Sequence, residues 1–145
     1  MSLPNRVSLI TLGSTDVERS AAFYEALGWK RSSASVKNEV AFFQLIDSAL
    51  GIWSYQALAK EAGLDPADPL SYRGFSCSIN MGSEVEVDQV LNAATTAGAT
   101  ITRPAFRADW GGYTGYFKDL DGNLWEIAHN PDWVLDADGS LRLPA

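Results

Sequence analysis

Two stretches far apart in the chain carry one pattern, and this limits the folds available more than any single motif. Ala41-Phe42-Phe43-Gln44-Leu45-Ile46-Asp47-Ser48-Ala49-Leu50-Gly51-Ile52 can be laid over Gly115-Tyr116-Phe117-Lys118-Asp119-Leu120-Asp121-Gly122-Asn123-Leu124-Trp125-Glu126. Phe43 meets Phe117, Asp47 meets Asp121 and Leu50 meets Leu124. Ile10-Thr11-Leu12-Gly13-Ser14 likewise lies over Ile79-Asn80-Met81-Gly82-Ser83. The identities are few. It is the matching order of elements around them that makes a duplication.

That order is read from periodicity and punctuation. Val7 to Leu12 is a β-rich run ended by Gly13. Ser14-Thr15-Asp16 supplies helix caps, Val17, Ala21, Phe23, Tyr24 and Leu27 recur at helical spacing, and Gly28 stops the helix. Strands are expected at Trp29 to Ser32, Val40 to Ile46 and Ala49 to Tyr55, with a turn at Val36 to Glu39. A short helix, Gln56 to Ala62, and a Pro/Asp segment then separate the halves. The second half expects a strand from Tyr72 to Met81, a helix from Glu84 to Ala97 with Val87, Val90, Leu91 and Ala94 buried, and a strand from Ala99 to Arg103. It closes with a hairpin, Tyr113 to Lys118 and Leu124 to His129, turning at Asp121-Gly122. The reading is one α+β domain over residues 1–145: a first βαβββ unit at 6–55, a linker at 56–71, a second unit at 72–130 and a tail at 131–145. The tail should form a small hairpin around Asp138-Gly139, packed on an edge or on a second subunit.

Composition removes several functions. The net charge of −7 argues against nucleic acid as a partner. No apolar run approaches the length of a membrane span and no basic-then-apolar leader opens the chain, so a cytoplasmic protein with no membrane partner is expected. Cys77 is the one cysteine, which rules out a disulfide framework and a cysteine-based metal site. His129 is the one histidine, which excludes every site that needs two imidazoles.

Glu126 is the exception in an apolar strand. A carboxylate there either faces water or has a task. Ser76, Ser78 and Asn80 alternate with Cys77, Ile79 and Met81 and are expected on the face opposite the helix. Trp110 and Tyr113 flank Gly111-Gly112 and are candidate pocket aromatics, whereas Trp125 should face the helices and Trp53 is ambiguous. Cys77 reads as packing, Asp119 and Asp121 as turn formers, and no G-x-S-x-G motif supports a nucleophilic serine.

The run Leu12-Gly13-Ser14-Thr15-Asp16-Val17-Glu18-Arg19-Ser20-Ala21-Ala22-Phe23-Tyr24 with Leu27-Gly28, then Ala97-Gly98-Ala99, then Gly115-Tyr116-Phe117 through Glu126, resembles the vicinal oxygen chelate superfamily. This superfamily holds glyoxalase I, extradiol dioxygenases and fosfomycin and bleomycin resistance proteins. The resemblance covers roughly residues 6 to 131 and implies two βαβββ units forming a curved mixed sheet around a cavity. It also implies, in metal-using members, ligands from the first and fourth strand of each unit. Those positions fall on Leu9, on Ile52, on Ser76 or Ser78, and on Glu126. Only Glu126 is a ligand type, and one carboxylate cannot hold a divalent ion tightly. His129, three residues from Glu126, points to the other face of a regular strand.

The expectation is therefore a protein without metal or other cofactor that binds a small molecule. Its cavity would be lined by Leu9, Thr11, Ile52, Ser76, Ser78, Asn80, Trp110, Tyr113 and Glu126. Sequestration of the bleomycin resistance kind is the preferred role. An enzyme of the superfamily using Glu126 as base or an atypical metal site, and a non-catalytic scaffold, are the alternatives left open. Dimers are common in the superfamily, and the Trp133 tail is the candidate surface for a homodimer.

Overall fold

The computed structural model describes residues 6–67 and 75–143. The fold is α+β, with three helices and mixed sheets among the described residues. The chain divides into two compact units, with the boundary between residues 69 and 70. The expected strand start at Tyr72, and positions 68–71 of the expected linker, lie outside the described residues.

The first unit runs β1 (Leu9–Ser14), α1 (Val17–Ala26), β2 (Val40–Gln44), β3 (Ala49–Ser54) and α2 (Tyr55–Glu61). Its sheet has the order β1-β3-β2, with β1 parallel and β2 antiparallel to β3. α1 starts because the Asp16 carboxylate accepts from the Arg19 N–H at 3.0 Å, and it ends at Gly28, whose φ of +95° only glycine takes without strain. The helix buries Val17, Ala21, Phe23 and Tyr24. Tyr24 lies 5.4 Å from the Trp29 ring and 6.0 Å from the Phe43 ring. Phe43, Leu50 and Ile52 are buried from the sheet, each at most 1% exposed.

Trp29 to Ser32 is not a strand. Only Arg31 makes an isolated bridge, to Phe43. Side chains anchor this segment instead. Arg31 donates to Glu18 at 2.7 Å and to Glu25 at 3.0 Å, both on α1. Glu18 also accepts from the Asn38 N–H at 2.8 Å, in the turn where Asn38 takes a φ of +63°. Asparagine tolerates that left-handed conformation.

The second unit runs β4 (Cys77–Asn80), α3 (Glu84–Thr96), β5 (Thr100–Arg107), β6 (Tyr113–Lys118) and β7 (Leu124–His129). Its strand order is β4-β7-β6-β5. Ser83 caps α3 by accepting from the Glu86 N–H at 3.2 Å, and Val87, Leu91 and Ala94 form its buried stripe, with Val90 half-buried beside them. β5 was expected to stop at Arg103 but continues through Pro104 to Arg107. Proline lacks a donor for the ladder, but β5 is an edge strand of this sheet and shifts register on either side of Arg103, the second shift spanning Pro104, so the missing N–H costs little. The tail carries β8 (Val134–Leu135) paired with β9 (Leu141–Arg142) around Gly139.

The two hairpins differ by one residue. Phe43 opposes Leu50, whereas Phe117 opposes Trp125. The second turn is thus one residue longer, because Asp119 organises it: its carboxylate accepts from the backbone of Asp121 (2.9 Å) and Asn123 (2.8 Å) and from the Asn123 side chain (2.8 Å). The structural counterpart of Glu126, which opposes Tyr116, is therefore Gly51, which opposes Phe42. A gapless overlay instead assigns that place to Ile52.

Candidate functional site

Each unit presents one sheet face to its helix and leaves the other available. In the first unit, alternation places Leu12, Leu50 and Ile52 in the core and Leu9 and Thr11 on the opposite side. There they line a cavity of about 590 Å³ with Val40, Phe42, Trp53 and, from α2 and its C-cap, Leu58, Glu61 and Ala62. Ile52 was expected among the lining residues. It is 0% exposed and packs toward α1 instead, because the one-residue difference in turn length puts its neighbours Gly51 and Trp53 on the other face. Gly51 leaves room there: a Cβ on it would stand 3.2 Å from the Phe42 ring. α2 forms after β3 because the Ser54 hydroxyl accepts from the Ala57 N–H at 3.3 Å. Tyr55, the first residue of α2, packs on Gly13, where a Cβ would come within 2.9 Å of the tyrosine ring.

In the second unit four residues stand in one row across four strands. Arg103 opposes Tyr116, Tyr116 opposes Glu126, and Glu126 opposes Ser78. Directly opposed residues point to the same face. Ser78 donates to Glu126 Oε1 at 3.0 Å and Tyr116 donates to Oε2 at 2.5 Å, so each carboxylate oxygen accepts a hydroxyl hydrogen. Arg103 lies over the rings of Phe106 (4.2 Å) and Tyr116 (5.0 Å) and donates to Thr114 Oγ1. Ser76 precedes β4 and is exposed, and Asn80 is half-buried opposite Ala128.

Tyr113 does not join this row. It is three residues from Tyr116, so it shares the helix-facing side with Gly115 and Phe117, and its hydroxyl donates to Asp88 of α3 at 2.7 Å. That bond, which the neutral phenol alone can donate, pushes the Tyr113 hydroxyl above its ordinary range. His129, opposite Tyr113, holds the Met81 carbonyl through Nδ1 at 3.0 Å. Trp110 is 61% exposed and folds back over Gly112, where a Cβ would collide with its ring. Cys77 is half-buried; burial, then the nearby Asp119 charge, pushes its thiol up, so it is a poor nucleophile.

Residue spacing alone missed Arg103 and Phe42, left Trp53 undecided, and gave Tyr116 only as one of several aromatics expected mostly in the core. Tyr116 could have been placed: counting back from the Asp121-Gly122 turn opposes it to Glu126. Arg103 could not, because the register shifts around Pro104 decide which face it takes.

A divalent ion, which the resemblance implies for metal-using members, needs several anionic or imidazole donors. Glu126 supplies one carboxylate whose oxygens are already engaged by Ser78 and Tyr116. Among the described residues no group of three or more His, Cys, Asp or Glu side chains comes together. This donor set does not fit such an ion.

Comparison with known proteins agrees with the architecture. The model of the Glyoxalase/Bleomycin resistance protein/Dioxygenase superfamily matches residues 6–127. The chain is similar to a glyoxalase-related enzyme from Fulvimarina pelagi, with 36% identity and a TM-score of 0.85 over 97% of this chain and 99% of that one. A glyoxalase/bleomycin resistance protein/dioxygenase family enzyme from Burkholderia phytofirmans PsJN shares the fold at 19% identity and a TM-score of 0.73, over 84% of this chain and 96% of that one. A lactoylglutathione lyase from Agrobacterium tumefaciens does so at 18% identity and a TM-score of 0.68, over 92% of this chain and 100% of that one. No curated protein matches the chain. With the family model matched over most of its length, the chain belongs to the Glyoxalase/Bleomycin resistance protein/Dioxygenase superfamily.

Proposed function

We propose that this protein binds an apolar, partly cationic small molecule without a metal, holding it against Trp53 and Phe42. The observation that carries the reading is the cavity of the first unit. Its volume of about 590 Å³ lies in the range of small-molecule pockets, roughly 300–1,000 Å³. Its lining is two aromatic rings and the aliphatic Leu9, Val40 and Leu58, with the Thr11 hydroxyl and the Glu61 carboxylate as polar groups. An apolar wall with one carboxylate suits a flat, positively charged ring system, which gains from burial, from stacking and from the anion together. The family description includes bleomycin resistance proteins alongside enzymes. The test is fluorescence titration with 9-aminoacridine, a planar cation, and with anthracene-9-carboxylate, a planar anion. The cation binds the wild-type protein and binds Trp53→Ala at least about ten-fold more weakly, the order expected for a buried aromatic anchor. Equal binding of both dyes, or indifference to Trp53→Ala, contradicts the proposal.

A second reading, catalysis through Glu126, draws on the 36% identity with a structure described as a glyoxalase-related enzyme. Formation of S-lactoylglutathione from methylglyoxal and glutathione is its direct assay. The binding proposal expects no turnover, with or without added zinc.

A further inference from the structure

Arg103 is held by neutral partners only. Among the described residues, Arg31, Arg107 and Arg142 each pair with a carboxylate. Arg103 instead donates to Thr114 Oγ1 and, at 3.4 Å, to the Pro104 carbonyl, and lies over the Phe106 and Tyr116 rings. A guanidinium carries five N–H donors in a fixed plane, so these two bonds leave donors available. The rings orient the plane and leave the positive charge without a counter-ion from the described residues. Arg103 is thus fixed in place by two hydrogen bonds and two rings, with no carboxylate in ion-pair contact among the described residues.

Its position gives that charge a purpose. Arg103 is at one end of the row Arg103, Tyr116, Glu126, Ser78, in which neighbours stand one strand spacing apart, about 4.8 Å. Tyr116 joins Arg103 to Glu126: its ring lies beneath the guanidinium and its hydroxyl donates to Glu126. One sheet face thus carries an oriented cation about two strand spacings from a carboxylate flanked by hydroxyls. We propose that Arg103 is an oxyanion-binding residue, and that this face takes a small molecule bearing a carboxylate or phosphonate group. The bidentate geometry of guanidinium with an oxyanion supplies the recognition, and the aromatic rings supply its orientation. The Ser78–Glu126–Tyr116 cluster meets a hydrogen-bonding group elsewhere on the same molecule. This site uses none of the residues of the aromatic cavity and stands or falls independently of it.

Nitrogen-resolved NMR of the Arg103 Nε–H group tests the proposal on the full chain, with phenylphosphonate, benzoate and uncharged benzamide as probes. A saturable shift of that resonance with phenylphosphonate or benzoate, absent with benzamide, is the expected result, and the better of the two anions identifies the oxyanion. Arg103→Lys keeps the charge but loses the fork, so the preferred anion then binds roughly ten-fold more weakly, followed on backbone resonances of β6. Arg103→Met abolishes the effect. A response to benzamide equal to that of the anions overturns the proposal, as does undiminished anion binding in folded Arg103→Lys and Arg103→Met proteins.

Discussion

Tyr116 donates its phenol hydrogen to Glu126, its direct partner across β6 and β7, while Ser78 donates to the other carboxylate oxygen from β4. The carboxylate that stood out in an apolar strand is held from both sides by side chains of its own sheet. Tyr116→Phe removes one of these bonds and keeps the ring beneath Arg103. The expected loss is about 1 kcal/mol, below the usual range for a bond to a charged group because the site is half-exposed. Urea unfolding measures it. A double-mutant cycle with Glu126→Ala, which removes both acceptor oxygens, should recover most of that energy as coupling between the two residues.

Asp119 gives a larger effect from a residue outside the site. It is 5% exposed and accepts three hydrogen bonds within the β6–β7 turn. Asp119→Ala removes all three bonds at once and should cost about 2–3 kcal/mol, read from the urea midpoint. Asp121→Ala, an acceptor of none of those three bonds, should cost less.

Gly115 sits where a side chain has no room. A Cβ there would stand 2.5 Å from Leu91 Cδ1 and 3.0 Å from the Ala105 backbone nitrogen. Gly115→Ala should destabilise the protein by about 1–3 kcal/mol, because the backbone contact cannot yield as a side chain can. Thermal unfolding by circular dichroism checks it.

Acid weakens the fold through two surface carboxylates. Glu18 is held below the usual carboxylate range, first by the Asn38 N–H and then by Arg31, and Glu84 is held below it by Arg107. A carboxyl group lowered in the folded state stabilises above its unfolded value, near 4.5, and that contribution is lost as pH falls through the lower folded value. Glu18→Gln should therefore be less stable than wild type at pH 7, with the gap narrowing below about pH 4.5. Urea midpoints for both proteins between pH 7 and 3 show whether the two curves converge.

Much of this fold could be read from the chain, and the reasons are local. The hairpin strands Tyr113–Lys118 and Leu124–His129 stand where strand-prone residues and an Asp-Gly turn put them. α1 and α3 begin at hydroxyl or carboxylate caps and end at glycines of positive φ. What could not be read was tertiary. Trp29 to Ser32 has strand composition, yet two glutamates on α1 capture Arg31. A gapless overlay puts Ile52 at a cavity position, and few identities distinguish it from an overlay with a single-residue difference in the turn. Tyr113 and Tyr116 were separable by counting from the turn, since an odd offset reverses the face. The contribution of α2 to the cavity lies in none of its residue types: Leu58, Glu61 and Ala62 become lining only when the helix folds back after β3.

The central claim is that a ligand binds against Trp53 without a metal. Isothermal titration with 9-aminoacridine tests it most directly, run on protein treated with EDTA and on protein supplied with zinc. The account predicts the same affinity and one-to-one stoichiometry in both. Binding that appears only with zinc, or a tight one-to-one zinc site found in the same titrations, would contradict it.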